Sequence, residues 1–215
     1  MCNPELIVPN RLIVKLDKVS KLGWAADRAL DDYKRRTFEE FEQIEPILRK
    51  GRKIESILDI GCGLAGLSAL IARQFDIFDI SLIDGDSEDI SQRFVGFSND
   101  IPKPWNSVID GCEMMAANCP DAIISTYTPR SWSDVEFPEK FDLITSFKSW
   151  CHHYPFEAYA DILQTNLKHG GLLIVDIRQG TDAFGKILEA HLECVEIIGG
   201  IQDKSQRFIF RKIAS

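Results

Sequence analysis

Short apolar runs, each stopped by glycine or by polar residues, recur along this chain, and between them apolar positions fall three and four residues apart. Ser56-Ile57-Leu58-Asp59-Ile60 is the first such run and reads as a buried strand. The same reading applies at residues 80–84, 122–126, 141–146 and 172–176. Residues 194–198 and 207–211 read as a last pair of strands, joined through Gly199-Gly200 and the polar residues that follow. Helical spacing covers residues 21–50, 64–74, 108–118, 156–167 and 183–191. Pro46 is expected to kink or restart the first of these helices. His169-Gly170-Gly171 is expected to end the fourth. The first twenty residues hold a single short apolar run, Leu12-Ile13-Val14.

Strands that alternate with helices, and that are apolar almost throughout, belong to a parallel sheet covered on both faces. The predicted fold is therefore α/β: a doubly wound, mostly parallel seven-stranded sheet with an antiparallel terminal hairpin and an N-terminal helical extension. Residues 1–50 are read as that extension, a lid, and residues 51–215 as the main domain. The irregular stretch 85–107, with Phe94, Phe97, Pro102, Pro104 and Trp105, is long for a connection and is expected to join the lid. In such a sheet ligands sit beyond the carboxyl ends of the strands, so the residues after each strand are the site candidates.

Length and charge narrow the function. A chain of 215 residues suits one domain with a full core. The net charge of -8 argues against a nucleic-acid partner, which needs a basic face. The basic triplet Lys34-Arg35-Arg36 lies in a mixed-charge stretch and reads as a solvated helix face. No run is long and apolar enough to cross a bilayer. Six scattered cysteines, without a C-x-x-C pair or a recognisable leader, read as reduced thiols of a cytoplasmic protein. Whether the chain pairs with a second copy to form a homodimer is left open.

The chemistry begins at Asp59-Ile60-Gly61-Cys62-Gly63-Leu64-Ala65-Gly66. Gly61 permits a tight turn, Gly63 lets a ligand approach the backbone, and Gly66 lets the following helix pack closely. Asp84 ends the next strand, where a carboxylate can accept from both hydroxyls of a ribose. This much fits a dinucleotide such as NAD as well as other nucleoside cofactors. The stretch Ile57–Gly63 also resembles motif I of class I S-adenosylmethionine-dependent methyltransferases, in which an acid stands two residues before the first glycine. Leu82-Ile83-Asp84, Phe141-Asp142-Leu143-Ile144 and Leu167-Lys168-His169-Gly170-Gly171-Leu172-Leu173 resemble three further elements of that family, the last with His169 in place of its usual proline. The resemblance covers residues 54–213 and implies a Rossmann-like fold with S-adenosylmethionine as cofactor. It places Asp59 near the cofactor's ammonium group and Asp84 on the ribose. It also puts Gly61, Cys62, Gly63, Gly66, Gly85, Ser146 and Phe147 around the cofactor. Tyr127, with Thr126, Thr128 and Trp132 nearby, falls where the family holds adenine. Asp86 is a second acid that could support the ribose contact or lie solvated in a turn.

After the fourth strand comes Phe147-Lys148-Ser149-Trp150-Cys151-His152-His153-Tyr154-Pro155, the most unusual segment of the chain. A histidine titrates near neutrality, so His153 or His152 is read as a general base, with His153 preferred. Lys148, Trp150 and Tyr154 are read as acceptor-binding residues. Adjacent histidines rarely share one metal ion and no carboxylate set accompanies them, so no metal is expected. Trp150-x-x-His153-Tyr154-Pro155 resembles a short pattern of sugar O-methyltransferases, which implies a hydroxyl acceptor on a small molecule. Asp176 and Arg178 follow the fifth strand and either hold a polar acceptor group or pair with each other at the surface. Two alternatives stand beside this reading: an NAD-dependent oxidoreductase and a cofactor-binding protein without activity. The first is opposed by Asp59 and by the absence of a Tyr-x-x-x-Lys pair.

Overall fold

The computed structural model describes residues 5–19, 26–85, 107–128, 137, 140–202 and 204–213. Two helices, α1 (Asn10–Val19) and α2 (Ala26–Lys50), precede the sheet. Then follow β1 (Ser56–Ile60), α3 (Gly66–Phe75), β2 (Asp79–Ile83), α4 (Val108–Asn118), β3 (Ile123–Tyr127) and β4 (Phe141–Ser146). A 3₁₀ turn at Phe156–Ala158 leads into α5 (Ala160–Thr165), β5 (Leu167–Arg178), α6 (Ala183–Glu189), β6 (Leu192–Gln202) and β7 (Ser205–Lys212).

The seven strands form one sheet in the order β3-β2-β1-β4-β5-β7-β6. β1 to β5 run parallel, and β7 lies antiparallel between β5 and β6. The expected doubly wound sheet with its terminal hairpin is therefore present. The chain winds outward from β1 to β3 and then returns to the other side of β1 as β4. That reversal opens a crevice beyond the carboxyl ends of β1 and β4.

Burial on both faces explains the unbroken apolar runs. Ile57, Leu143, Ile174 and Ile209 point into a core shared with Leu12 of α1, Phe41 and Ile44 of α2, Leu70 of α3 and Met114 of α4. Their neighbours Leu58, Ile144, Leu173 and Phe210 point into a second core with Leu163 of α5 and Ile187 of α6. The two helices before the sheet thus contribute to the first core, and Gly51 is a turn within the packing. The apolar run at 12–14 belongs to α1, and Pro46 sits inside an unbroken α2.

Three boundaries differ from the sequence reading. The helix expected over 156–167 is a 3₁₀ turn plus the short α5, because Leu167 already pairs with Phe141 of β4. The glycines at 170 and 171 lie within β5 at a register shift, where Phe141 faces Leu167 but Leu143 faces Leu172. The terminal hairpin turns after Gln202, so Gly199 is in β6. The stretch 86–106 lies outside the described residues.

Asp142 secures the amino ends of β1 and β4. Its buried carboxylate accepts from the amides of Glu55 and Ser56, from the Ser56 hydroxyl and from Lys168 Nζ at 2.8 Å, and it pairs with Arg52. Arg52 and Lys168 reach solvent, so the main loss on truncation is the set of buried hydrogen bonds to Ser56. Asp142→Ala is expected to lower stability by about 2 kcal/mol, a fall in melting temperature of roughly 5 °C by calorimetry.

Candidate active site

The glycine turn sits at the crevice. Gly61 N and Cys62 N both donate to the Ile83 carbonyl at the end of β2, at 2.8 and 3.0 Å. Gly61 has φ +72° and Gly63 φ +57°, and Ala65 shares the left-handed region. A side chain at 61 would collide with the Ser149 hydroxyl, and one at 66 with the Tyr33 hydroxyl. That Tyr33 hydroxyl is buried and takes the Gly66 amide as a partner, so α2 closes over the start of α3.

Two acids flank the turn. Asp59 and Thr145 are register partners across β1 and β4, so both side chains lie on the face that α3 covers. One Asp59 oxygen accepts from the Thr145 hydroxyl at 3.0 Å and the other from Ser68 of α3 at 2.6 Å. Burial pushes the Asp59 carboxyl up to about 6, with these hydroxyl bonds opposing the rise. Asp84 caps the turn from β2, accepting from Gly63 N at 2.7 Å and Gly85 N at 2.8 Å. Burial raises it to about 6 as well, against the pull of those two amides. Cys62 is driven far above the usual thiol range by burial and by the two nearby acids, which leaves it an uncharged packing group.

A cavity of about 300 Å³ opens on this turn. Its walls are Lys15 and Leu16 of α1, Tyr33, Thr37 and Glu40 of α2, the turn itself with Asp59, and Phe147-Lys148 after β4. A second cavity of about 250 Å³ shares Glu40 and Lys148 with it. This one is mostly polar, with Arg35, Arg36, Glu39 and Gln43 of α2, Asp176 of β5 and Ser205 and Arg207 of β7. The basic triplet's Arg35 bonds to Asp32 and Glu39 and Arg36 pairs with Asp32, so these charges are largely internal to α2.

The segment after β4 is a tight coil. Lys148 and Cys151 are left-handed, with φ 52° and 64°. The Ser149 carbonyl accepts from the amides of His152, His153 and Tyr154, and the Arg178 amide donates to the Cys151 carbonyl at 3.0 Å. Ser146, expected at the cofactor, is fully buried and works as a staple: its hydroxyl donates to the Ile60 carbonyl and accepts from Trp150 N. Trp150, expected to line an acceptor pocket, is instead a core residue. Its ring has 0% exposure, stacks on Phe156, and donates through Nε1 to the Phe156 carbonyl at 2.8 Å. Cys151 is equally buried, and its thiol is pushed up by desolvation.

His152 is buried, and its ring meets that of His153 edge-on at 4.5 Å between centroids. His153 is half-buried, with a buried Nδ1 that has no hydrogen-bond partner. Burial lowers its pKa to about 4, helped by His152, Arg178 and Lys148, so it is a neutral imidazole at pH 7. Tyr154 is pushed up to about 12 by burial, with the Asp84 charge adding to the rise. Asp176 lines the second cavity, and its ion pair is with Arg207. It is buried, accepts from Lys148 N at 3.2 Å, and is gripped by Arg207 at 2.8 and 3.1 Å. Tyr127 ends β3, its carbonyl accepting from Asp84 N and its ring meeting Phe137 edge-on at 4.6 Å. Asp86 and Trp132 lie outside the described residues.

Sequence reasoning missed Tyr33, Ser68, Thr145, Ser149 and Arg207. Tyr33, Ser68, Thr145 and Arg207 depend on register or on a helix face and carry no local motif, whereas Ser149 sits in the 147–155 segment and acts through its contact with Gly61. Among the described residues no three His, Cys, Asp or Glu side chains gather as a metal site, and no helix is long and apolar enough to cross a membrane.

The donor set bears on the cofactor. A buried carboxylate at Asp59, ionised at pH 7, repels a pyrophosphate but suits a ligand that carries an ammonium and a sulfonium. The absence of Cβ atoms at 61 and 63 leaves room for such a ligand against the backbone, and Asp84 retains lone pairs for a ribose diol.

Comparison with known proteins agrees. A methyltransferase domain family model matches residues 26–195. No curated protein sequence matches the chain. Among solved structures, the N-methyltransferase NodS of Bradyrhizobium japonicum WM9 in complex with S-adenosyl-L-homocysteine is 17% identical, with a TM-score of 0.59, over 93% of this chain and 97% of its own. The magnesium protoporphyrin IX methyltransferase ChlM of Synechocystis PCC 6803 with bound S-adenosylmethionine is 12% identical, with a TM-score of 0.58, over 92% and 88%. An S-adenosylmethionine-dependent methyltransferase of Clostridium acetobutylicum is 12% identical, with a TM-score of 0.59, over 95% and 99%. At these identities the likeness speaks for the fold, while the family match covers most of the sequence. The chain belongs to the methyltransferase domain family and is a class I S-adenosylmethionine-dependent methyltransferase.

Proposed function

We propose that this enzyme methylates a hydroxyl group of a small, polar molecule held in the second cavity, with His153 taking the proton. One observation carries the reading: a polar cavity of about 250 Å³ adjoins the glycine-turn cavity and shares Glu40 and Lys148 with it. A volume of that size suits a small molecule better than a polymer. Its mixture of arginine, carboxylate and amide side chains suits a hydroxyl-rich acceptor.

S-adenosylmethionine, when bound, supplies an already activated methyl group. Asp59 and Glu40 face the cavity and would neutralise the cofactor's positive charges. Gly61 and Gly63 would let it lie against the backbone, and Asp84 would accept from the ribose hydroxyls. The protein's remaining work is alignment of the acceptor and removal of one proton. His153 is neutral at pH 7 and stands in the same coil as Lys148, which lines both cavities, so it is the base assigned to take that proton as the methyl group passes from sulfur to the hydroxyl oxygen. A hydroxyl that is gaining a methyl group becomes strongly acidic, so a weak base suffices late in the step. Burial, helped by the charges of Arg178 and Lys148, keeps the His153 ring unprotonated and free to take the proton.

Removing the His153 ring tests the base directly. His153→Ala is expected to lower turnover about 100-fold while leaving S-adenosylhomocysteine affinity unchanged. Mass and NMR analysis of the product identifies the methylated atom. Equal turnover in wild type and variant, or a methylated nitrogen, would remove the histidine-assisted hydroxyl reading.

Cofactor binding is expected to depend on both acids. Asp84→Asn should weaken S-adenosylhomocysteine binding by about 10- to 100-fold, the loss of charge-assisted bonds to two hydroxyls. Both carboxyls are raised to about 6. The sign follows: each is ionised at pH 7.5 and becomes protonated as pH falls through 6, so calorimetric affinity should drop from pH 7.5 to pH 5.5. The same raised values make the ligand-free fold gain stability from these two groups as pH falls, opposite to the trend in binding.

A further inference from the structure

Arg207 lies on β7, away from every motif, yet it joins three parts of the site. It is the cross-strand partner of Asp176 on β5, and both side chains point to the face covered by α2. Its guanidinium bonds both Asp176 oxygens, Nε at 2.8 Å and Nη2 at 3.1 Å. Nη2 also reaches Glu40 at 3.3 Å, and Nη1 reaches Gln43 at 3.4 Å. The guanidinium carbon stands 3.8 Å from the centre of the Phe147 ring. The side chain is buried, at 9% exposure, as is that of Asp176.

Two consequences meet at residues 147 and 148. Phe147 and Lys148 form a wall of the cofactor cavity, and Lys148 also lines the acceptor cavity. Lys148 is held in the left-handed region, a conformation a residue with a Cβ adopts only under constraint. The constraint is visible: Asp176 accepts the Lys148 amide, Arg207 orients Asp176, and the same guanidinium packs on Phe147. A planar fork is needed to bond both carboxylate oxygens and lie flat on a ring together, which a lysine cannot do.

We propose that Arg207 is a positioning residue for methyl transfer: it fixes the Phe147–Lys148 turn that forms the wall between the cofactor cavity and the acceptor cavity. It lines the acceptor cavity but not the cofactor cavity, so its effect on the cofactor is indirect. It acts through Asp176 and Phe147, and its bonds to Glu40 and Gln43 tie that wall to α2. The proposal rests on the assignment of the glycine-turn cavity to the cofactor.

The test is calorimetric titration of the full chain with S-adenosylhomocysteine, paired with thermal unfolding. Arg207→Lys keeps the charge and loses the fork. It is expected to bind about tenfold more weakly than wild type, with a melting temperature within a few degrees. Phe147→Leu weakens binding by direct loss of the wall. In the double variant the loss should be smaller than the product of the single losses, because Arg207 works partly through Phe147. Should Arg207→Lys fail to fold, Arg207→Met with Asp176→Asn removes both charges together, so neither is buried alone, and the same tenfold loss is expected. Unchanged affinity in a folded Arg207 variant, or losses that multiply fully, would overturn the proposal and leave Arg207 a purely structural residue. A wild-type chain that does not bind S-adenosylhomocysteine would overturn the cofactor assignment, and the proposal with it.

Discussion

A negative charge buried at the end of β1 is the constraint around which the site is built. Asp59 has left water, and among the described residues its hydrogen-bond partners are two hydroxyls. Hydroxyls stabilise a carboxylate less than a cation does, so the charge stays costly and its pKa stays high. Asp84 meets the same condition on the neighbouring strand, where backbone amides hold it. A pair of partly compensated carboxylates beside a turn without side chains is a receptor for a cationic nucleoside. It is a poor receptor for an anionic one.

The sheet makes that placement possible. Strand order reverses at β1 and β4, so the chain diverges there and leaves a crevice where Asp59 and Thr145 lie in register. The same alternation that puts Ile57 and Leu143 into the α3-side core puts Asp59 and Thr145 on that side at the open end. Further along, Asp176 and Arg207 repeat the pattern across β5 and β7. Polar pairs at the carboxyl edge thus continue the apolar pairs of the core. Each is stabilised by a helix laid over the first face: Ser68 of α3 for Asp59, and Glu40 and Gln43 of α2 for Arg207.

Much of this could be read in the sequence, and the parts that could not have a common cause. The strands and the glycine turn announce themselves locally, through apolar runs and through glycines that a turn requires. Asp59 and Asp84 stand at fixed offsets from that turn. Ser68 and Thr145 do not, because their role appears only when β4 lies beside β1 and α3 presents one face. Trp150 was read as a pocket wall for its company, two histidines and a tyrosine, but the coil folds its indole inward onto Phe156. Asp176 and Arg178 looked like a pair because they are neighbours. The true partner, Arg207, is 31 residues away on an antiparallel strand. The long element expected before β5 failed because propensity for a helix at 166 and 167 yields to pairing with Phe141.

The most direct test of the account is a crystal structure of the enzyme with S-adenosylhomocysteine. The account predicts the ribose hydroxyls within hydrogen-bond distance of Asp84, the ammonium on the side of Asp59, and the sulfur directed towards the wall formed by Phe147 and Lys148. A ligand whose ribose lies away from Asp84, or whose sulfur faces away from that wall, would contradict it.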